Sequence, residues 1–227
     1  MIAEQWGFSR SRLDEFSLAS HEKAAKAQAD GAFDEEIAPV TTPDGTVVSA
    51  DEGIRAGGTL EKLGSLKTPF KEDGVISAGN ASQISDGAAA LLVTTSEKAR
   101  ELGLTPLVRV HTTVMAGADP VIMLTAPIPA TQKVLQRSGL AIEDIGIYEV
   151  NEAFAPVPMA WMADLGAPAD RLNPLGGAIA LGHPLGGSGA RIMTTLIHRM
   201  QATGTRYGLQ TMCEGGGMAN ATVLELL

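Results

Sequence analysis

The chain has 227 residues with 17 Lys or Arg and 26 Asp or Glu, which gives a formal net charge of -9 at pH 7. Hydrophobic residues make up 44% and charged residues 19%, proportions typical of a globular chain of one or two domains. The acidic balance argues against nucleic acid and anionic membranes as partners, because both select a basic face. The single cysteine excludes an internal disulfide.

The first residues lack the basic and apolar regions of a secretory signal, and no apolar run approaches the ~18 residues that span a bilayer. We therefore expect a cytoplasmic location. The four histidines show no close ligand spacing with one another or with Cys213, so we expect no metal site.

The first predicted element is a surface helix that runs from a serine cap at Ser9 to Gly31, with apolar residues at a helical period. The stretch that follows, up to about Phe70, is rich in turn sequences and indicates a lid or an insertion rather than a core. Residues 91–95, LLVTT, then predict an apolar strand, and a charged helix follows it.

After Pro106 strands alternate with helices, which predicts an α/β layered sheet. The strand candidates are PLVRVHTTVM, IGIYEV, YGLQTM and ANATVLEL, in that order. The helix candidates are TQKVLQRSGL, which ends near Gly139, then NEAFAPVPMAWMADLG, which Pro156 and Pro158 interrupt, and then ARIMTTLIHRMQATG.

The first cluster that indicates chemistry is NEAF, residues 151–154, between the strand candidate IGIYEV and a helix. Ligands bind at the strand ends of α/β sheets, where Asn151 can orient a water or hold a loop. Asn is also a favoured N-cap residue, so a simple helix cap is the competing interpretation.

The second cluster is GGAIALGHPLGGSGAR, residues 176–191, with six glycines around His183. Such a backbone approaches a ligand closely and then enters a helix, whose N-terminus favours anions and oxyanions. Pro184 restricts His183 to an extended conformation and fixes the direction of its ring. The competing interpretations are a structural turn, a hydrogen-bonded core histidine and, more weakly, a phosphate-binding loop.

The third cluster is TMCEGGGMAN, residues 211–220, in which Cys213 lies at the end of an apolar strand, just before three glycines. A lone cysteine is usually an inert buried hydrophobe. Here we expect the glycine turn to expose the sulfur and to align backbone N–H groups as an oxyanion hole.

The combination of NEAF, GHPLGGSG and CEGGG, in that order at predicted strand ends of one α/β domain, resembles the thiolases, the β-ketoacyl-CoA acyltransferases. The similarity extends upstream through DEGIR at Asp51, TPF at Thr68 and AGNASQISDGAAA from Ala78. It implies a thiolase-like layered α/β fold, in which a C-terminal βαβαβ-type half with a mixed sheet covered by helices follows part of a loop domain. The implied divisions are a partial loop (lid) domain at 1–82, a segment returning to the N-terminal core domain at 83–106, and the C-terminal thiolase domain at 107–227.

The resemblance also implies that a part of the thiolase is missing. Thiolases carry an N-terminal half with a nucleophilic cysteine, and no residue here matches it, because Cys213 fills the second-cysteine motif. We therefore expect only the C-terminal part of a thiolase, inactive by itself. A fragment, a truncated gene product and one subunit of a split enzyme all fit this pattern.

Thiolases cleave a 3-ketoacyl-CoA with CoA to acetyl-CoA and a shortened acyl-CoA, or run the reverse Claisen condensation, through an acyl-cysteine. By resemblance, His183 activates the nucleophile and donates to the first oxyanion hole, whose water Asn151 holds. Cys213 matches the general acid and base, a role suited to a thiol whose pKa near ~8.5 a polar site lowers. Gly215 matches a glycine that contributes an N–H to the second oxyanion hole.

Acyl-CoA and CoA are the implied substrates, with no tightly bound cofactor. Arg55 resembles the basic residue near the CoA nucleotide, where a fixed cation meets phosphate or adenine. The residues similar to the pantetheine tunnel are Phe70, Ala78, Gly79 and Ser82, and those similar to the wall beside the acyl group are Met123 and Phe154. Phe70, Met123 and Phe154 fit equally as plain core residues.

The expected partner is a second copy of the chain, as a homo-oligomer, or an N-terminal thiolase half, and the expected setting is fatty acid metabolism and lipid degradation. One alternative is a non-catalytic remnant that keeps the fold and has lost the nucleophile. The other is a ketoacyl synthase, which shares the layered architecture but uses two histidines where this chain has His183 and Cys213.

Overall fold

The computed structural model describes all residues, 1–227. Its α-helices are α1 (Ile2–Gln5), α2 (Arg10–Ala29), α3 (Leu60–Gly64), α4 (Ser96–Glu101), α5 (Pro127–Ser138), α6 (Pro156–Leu165), α7 (Ala178–Leu181) and α8 (Ser188–Thr203). Its strands are β1 (Val40–Thr41), β2 (Val47–Val48), β3 (Val108–Gly117), β4 (Ile147–Val150), β5 (Tyr207–Glu214) and β6 (Met218–Leu226). No helix of the chain combines the length and the apolar character needed to cross a membrane.

The chain forms two compact units, each assembled from three segments. The first unit contains Met1–Asp86, Asn151–Ala160 and Asn173–Leu185, and the second contains Gly87–Val150, Trp161–Leu172 and Gly186–Leu227. The division at 82 and 106 inferred from the sequence stays a prediction.

The second unit contains a four-stranded sheet in the order β3-β6-β5-β4. β6 is antiparallel to β3 and to β5, whereas β5 and β4 are parallel. The α/β layered sheet predicted from the alternation of patterns is confirmed, and so is the mixed sheet covered by helices that the family resemblance implied. Helix α8 packs on the sheet through Leu196 and Met200, which are buried against Ile147 and Leu224.

Aromatic side chains pack the second half of α6, from Trp161 onward, against β4 in the second unit. The ring of Trp161 meets Tyr148 edge-on, with centroids 5.3 Å apart, and both side chains are fully buried. The indole N–H of Trp161 donates to Thr131 Oγ1 at 2.8 Å, so the buried polar group is satisfied.

The first unit is organised by α2, whose predicted serine cap is confirmed because Ser9 Oγ accepts the Arg12 N–H at 3.3 Å. The description of α2 as a surface helix is incomplete. One face is buried and carries polar side chains beside Leu13: Asp14, Ser17, Ser20 and His21. Apolar periodicity could not reveal this face, because Asp14, Ser20 and His21 pair with polar groups from distant segments.

Pro156 and Pro158 do not interrupt a helix, and this prediction was wrong. Pro156 is the first residue of α6 and Pro158 the third. The N–H groups of a first helical turn have no partner within the helix, so proline costs little there. The prolines therefore mark where α6 begins.

The predicted strand at residues 91–95 was also wrong. The segment from Gly87 to Thr95 is neither helix nor strand, and Leu92 and Val93 are 81% and 74% exposed. A strand depends on a ladder of hydrogen bonds with a neighbour, and this segment pairs with no strand of the chain.

The close approach of α8 to β5 depends on Gly208, where a Cβ atom would lie 2.6 Å from Met200 Sδ and 2.7 Å from Leu196 Cδ1. We expect Gly208→Ala to lower the free energy of unfolding by about 1–3 kcal/mol, because the added methyl overpacks the core. Urea unfolding monitored by circular dichroism measures this change. Gly64→Ala is the control, since its Cβ meets open space, and it should cost nothing or stabilise slightly. Equal stability of the two variants would contradict the packing argument.

Candidate active site

Asn151 follows directly after β4, at the end of a strand that is parallel to β5. Helix α6 begins only at Pro156, so Asn151 is not its cap, and the helix-cap interpretation fails. The side chain is 2% exposed, and its Oδ1 has no hydrogen-bond partner in the structure. A buried amide oxygen in this state fits a bound water or ligand.

His183 lies 3.4 Å from this amide, measured from its Nε2 to Asn151 Nδ2. The ring is half-buried, and burial lowers the pKa of His183 below its ordinary value. The imidazole is therefore neutral at pH 7, with one nitrogen that accepts and one that donates.

The backbone of His183 is held by the segment around Gln83. The His183 N–H donates to Gln83 O at 2.7 Å, and His183 pairs with Ile84 in a parallel bridge. The preceding Gly182 has φ +89°, and a Cβ there would lie 2.3 Å from Ser85 Oγ, so only glycine fits. These contacts fix the direction in which the imidazole leaves the loop.

The GHPLGGSG segment differs from its prediction in one respect. It follows the short helix α7, not a strand, and enters α8 at Ser188. The entry into a helix is as expected. His183 is therefore supported by α7 and not by a strand, and hydrogen bonds from the Gly177 and Ile179 N–H groups hold α7 in place.

Cys213 lies in β5 opposite Ala219 of β6. Glu214 pairs with Met218, so three glycines form the loop of this hairpin, with φ +79° at Gly216 and +81° at Gly217. The Ala118 N–H donates to Gly217 O at 2.7 Å and ties the loop to the end of β3. The chain thus turns back directly after the cysteine.

The thiol does not have the lowered pKa expected from a polar site. Burial raises the pKa of Cys213 to about 11, and the nearby Glu214 carboxylate adds to the rise. The glycine turn exposes Gly215 itself, whereas the sulfur is only partly accessible. The thiol is therefore protonated at neutral pH and is poised to donate a proton.

The predicted substrate residues divide between the two units. In the first unit, Arg55 is exposed and its backbone N–H donates to His21 Nδ1 at 3.1 Å. The rings of Phe70 and Phe154 meet edge-on with centroids 6.2 Å apart, and Phe70 is 74% exposed, so it is not a core residue. Ser82 donates its N–H to Ala153 O at 3.0 Å, beside the NEAF turn.

Of three further predicted residues, two are small and one has an unusual backbone conformation. Ala78 is exposed, and Gly79 leaves room for Leu63 and Leu66, which a Cβ would meet at 2.7 and 2.8 Å. Met123, in the second unit, follows β3 and has φ +51°. These positions are compatible with a binding role, which stays a prediction.

The structure thus brings Asn151 and His183 together in the first unit and places Cys213, Gly215 and Met123 in the second. Glu152 was not predicted as a functional residue, yet its buried carboxylate contacts three segments of the first unit. It lies within the NEAF motif, but the local sequence does not indicate that its partners are the distant residues Ser20 and Asn173. No group of three or more His, Cys, Asp or Glu side chains in the chain is arranged to hold a metal ion.

Two family models match the chain. One is described as the thiolase C-terminal domain and covers residues 104–226, and the other as the thiolase N-terminal domain and covers residues 1–97. The expectation of a C-terminal part alone was therefore partly wrong, because residues 1–97 match the N-terminal domain model.

The chain is 50% identical over 227 residues to a steroid 3-ketoacyl-CoA thiolase of Mycobacterium tuberculosis, and spans 55% of that protein. It is 47% identical to an acetyl-CoA acetyltransferase of Paracoccus denitrificans and to a peroxisomal 3-ketoacyl-CoA thiolase B of Rattus norvegicus, over 99% of the chain in each case. It spans 58% and 55% of these relatives, which is little more than half of their length.

Solved structures agree with this relationship. An acetyl-CoA acetyltransferase of Bacillus anthracis superposes on the whole chain with a TM-score of 0.96 at 41% identity, and the chain covers 58% of it. A human mitochondrial 3-ketoacyl-CoA thiolase in complex with CoA superposes with a TM-score of 0.94 at 36% identity, with 57% of it covered. By its sequence, its fold and its two matching domain models, the chain belongs to the thiolase family.

Proposed function

We propose that the protein to which this chain belongs is an acyl-CoA C-acyltransferase. It cleaves a 3-ketoacyl-CoA with CoA to acetyl-CoA and a shortened acyl-CoA, or runs the reverse condensation. The observation that carries the proposal is the pair of Asn151 and His183: Asn151 Nδ2 lies 3.4 Å from His183 Nε2, and the buried Asn151 Oδ1 has no hydrogen-bond partner. The names of the relatives agree with this activity.

In the proposed cleavage, a cysteine thiolate other than Cys213 attacks the 3-keto carbon of the substrate. The carbonyl oxygen becomes an oxyanion, which hydrogen bonds from His183 and from a water on Asn151 stabilise. When the bond between carbons 2 and 3 breaks, the acyl group stays on the cysteine and the electron pair goes to the acetyl-CoA enolate. Each oxyanion donor of this kind contributes a factor of about 10²–10³ in rate.

Cys213 supplies and removes the protons in this scheme. Its thiol donates a proton to the acetyl-CoA enolate, and the resulting thiolate then takes the proton of the incoming CoA thiol. The CoA thiolate attacks the acyl-enzyme and releases the shortened acyl-CoA, which restores both cysteines. The raised pKa of Cys213, about 11, suits the first step because the thiol is protonated before the substrate reacts. Gly215 contributes its N–H to the second oxyanion hole in this proposal.

The proposed CoA contacts lie on the segments around Arg55 and Ser82, with the exposed Phe70 ring as an apolar surface for the pantetheine chain. Phe154, in the first unit, and Met123, in the second, are each proposed to contact the acyl group. CoA acts as a substrate and not as a resident cofactor. The human relative whose structure contains CoA supports this choice of ligand.

The partner is proposed to be a second copy of the chain or an N-terminal thiolase half, and the location to be cytoplasmic. The one cysteine of the 227 residues lies in the CEGGG motif, so the nucleophilic cysteine of this proposal lies outside them, and a non-catalytic or split subunit is the second candidate. A second polypeptide with a nucleophilic cysteine that copurifies with the protein would exclude the non-catalytic candidate.

In an enzyme that contains the nucleophilic cysteine, we expect His183→Ala and Cys213→Ala each to lower kcat by about 10²–10⁴, as for oxyanion donors and general acids. His183→Ala should slow acylation of the nucleophile. Cys213→Ala should still allow acyl-enzyme to form from a simple acyl-CoA, because that step requires no proton transfer at carbon. Mass spectrometry after rapid mixing measures the acylated protein.

His198→Ala is the control for His183→Ala, since His198 lies in α8 and has no proposed role. Equal and complete loss of acylation in the His183 and Cys213 variants would contradict the division of roles.

The raised pKa of Cys213 gives a second test, on the chain itself. We expect alkylation of the folded chain by iodoacetamide to accelerate about tenfold per pH unit without a plateau up to about pH 10, because only the thiolate reacts. The same cysteine in urea should reach half of its maximal rate at about pH 8.5, the ordinary pKa of a thiol, and level off above it. A plateau near pH 8 in the folded chain would show that the site lowers the pKa.

A further inference from the structure

Glu152 is a carboxylic acid buried in the first unit, 1% exposed, next to Asn151 in the sequence. Its carboxylate accepts three hydrogen bonds: from Ser20 Oγ at 2.7 Å, from Asn173 Nδ2 at 2.9 Å and from the Ile179 N–H at 3.2 Å. Ser20 belongs to α2 and Ile179 to α7. One side chain thus joins the NEAF turn to three other parts of the unit.

The contacts extend beyond the carboxylate itself. Ser20 Oγ also accepts the Gly177 N–H at 3.0 Å, so its hydroxyl bridges Glu152 and the residue before α7. A Cβ on Gly177 would lie 2.3 Å from Glu152 Cδ, which shows how closely the carboxylate rests on the backbone. Asn173 presents its amide from a backbone with φ +42°, a conformation that asparagine tolerates. The loop from Asn173 to Gly177 is therefore shaped around Glu152.

All three groups that contact the carboxylate donate a hydrogen bond, which matches a carboxylate and leaves no acceptor for an acid proton. Burial raises the pKa of Glu152, while Asn173, Ser20, the Ile179 N–H and the charge of Lys23 oppose that rise. A Gln at this position would direct an N–H₂ group at one of the three donors. Such a substitution removes contacts without removing volume.

The position of this cluster in the chain connects it to both site residues. Glu152 is bonded covalently to Asn151, and Ile179 is in the four-residue helix α7, which ends two residues before His183. A helix of one turn has little stability of its own. The Ile179 N–H is one of the unpaired donors of that turn, and Glu152 satisfies it.

We propose that Glu152 and Ser20 are positioning residues that set the distance and orientation between the Asn151 amide and the His183 imidazole. The proposal rests on the proposed function only for the catalytic role of that pair, because the contacts of Glu152 and Ser20 do not depend on it. Neither residue contacts the reacting atoms in this scheme. They act by holding the NEAF turn and α7 to the same face of α2.

Ser20→Ala is the decisive variant because it deletes one oxygen atom. Ser17→Ala is its matched control: both serines are buried on α2, but Ser17 Oγ donates to Leu13 O of its own helix. Glu152→Gln is the second variant. Thermal unfolding first establishes that each variant melts cooperatively.

The measurement is a pH titration of the four histidine rings by NMR in the full chain, with His183 assigned by substitution. In the wild type we expect His183 to titrate below its ordinary value of about 6.5, because its ring is half-buried. Ser20→Ala and Glu152→Gln should shift the His183 midpoint and its ring chemical shifts, whereas His198 should not change. Ser17→Ala should match the wild type throughout.

Folded Ser20→Ala and Glu152→Gln chains with the wild-type His183 titration would overturn the proposal. Failure of Ser20→Ala to fold while Ser17→Ala folds would also overturn it, since Ser20 would then support the fold and not the site. In the complete enzyme, Ser20→Ala should lower kcat about 10- to 100-fold with the KM for CoA unchanged, the effect of a misplaced catalytic group. A shifted titration in the chain, together with no thiolase activity in the complete wild-type enzyme, would leave the positioning role intact and would refute the proposed function.

Discussion

A carboxylate that is removed from water needs donors in its place, and the three donors of Glu152 come from residues 21 to 132 positions away in the sequence. Leaving a buried charge without such partners costs several kcal/mol. The first unit can satisfy this requirement only when α2, the NEAF turn, the loop from Asn173 and α7 come together. The mutual placement of Asn151 and His183 follows from that condition.

The second unit depends on a different constraint, which is close packing of a helix on a sheet. Gly208 lets α8 approach β5, and the hairpin of three glycines returns the chain into β6. Cys213 lies in β5 just before that hairpin, and burial raises its pKa. Burial thus keeps His183 neutral and Cys213 protonated, which are the forms in which an imidazole can accept a proton and a thiol can donate one.

The strands after Pro106 and helices α2, α5 and α8 were predictable because apolar spacing and terminal signals agree, as at Ser9 and Gly139. Residues 91–95 carry the same apolar signal, yet a strand also requires a partner, which local sequence does not specify. The buried polar face of α2 escaped notice for a related reason. Ser20 and His21 form hydrogen bonds with groups on other segments, and the local sequence does not specify these partners.

The candidate site was predictable as a set of motifs but not as a geometry. The motifs identified Asn151, His183 and Cys213, and the family resemblance assigned their roles, which stay predictions. The contact between Asn151 and His183 joins residues 32 positions apart, and no sequence pattern predicts it. The direction of the Cys213 pKa shift depends on burial, which a glycine-rich motif does not reveal.

A high-resolution crystal structure of the chain would show whether Asn151 and His183 hold a water that can stabilise an oxyanion. We expect an ordered water within hydrogen-bond distance of the Asn151 amide and within reach of His183 Nε2. A protein donor on the Asn151 amide oxygen, or an amide turned away from His183 with no water between them, would contradict it.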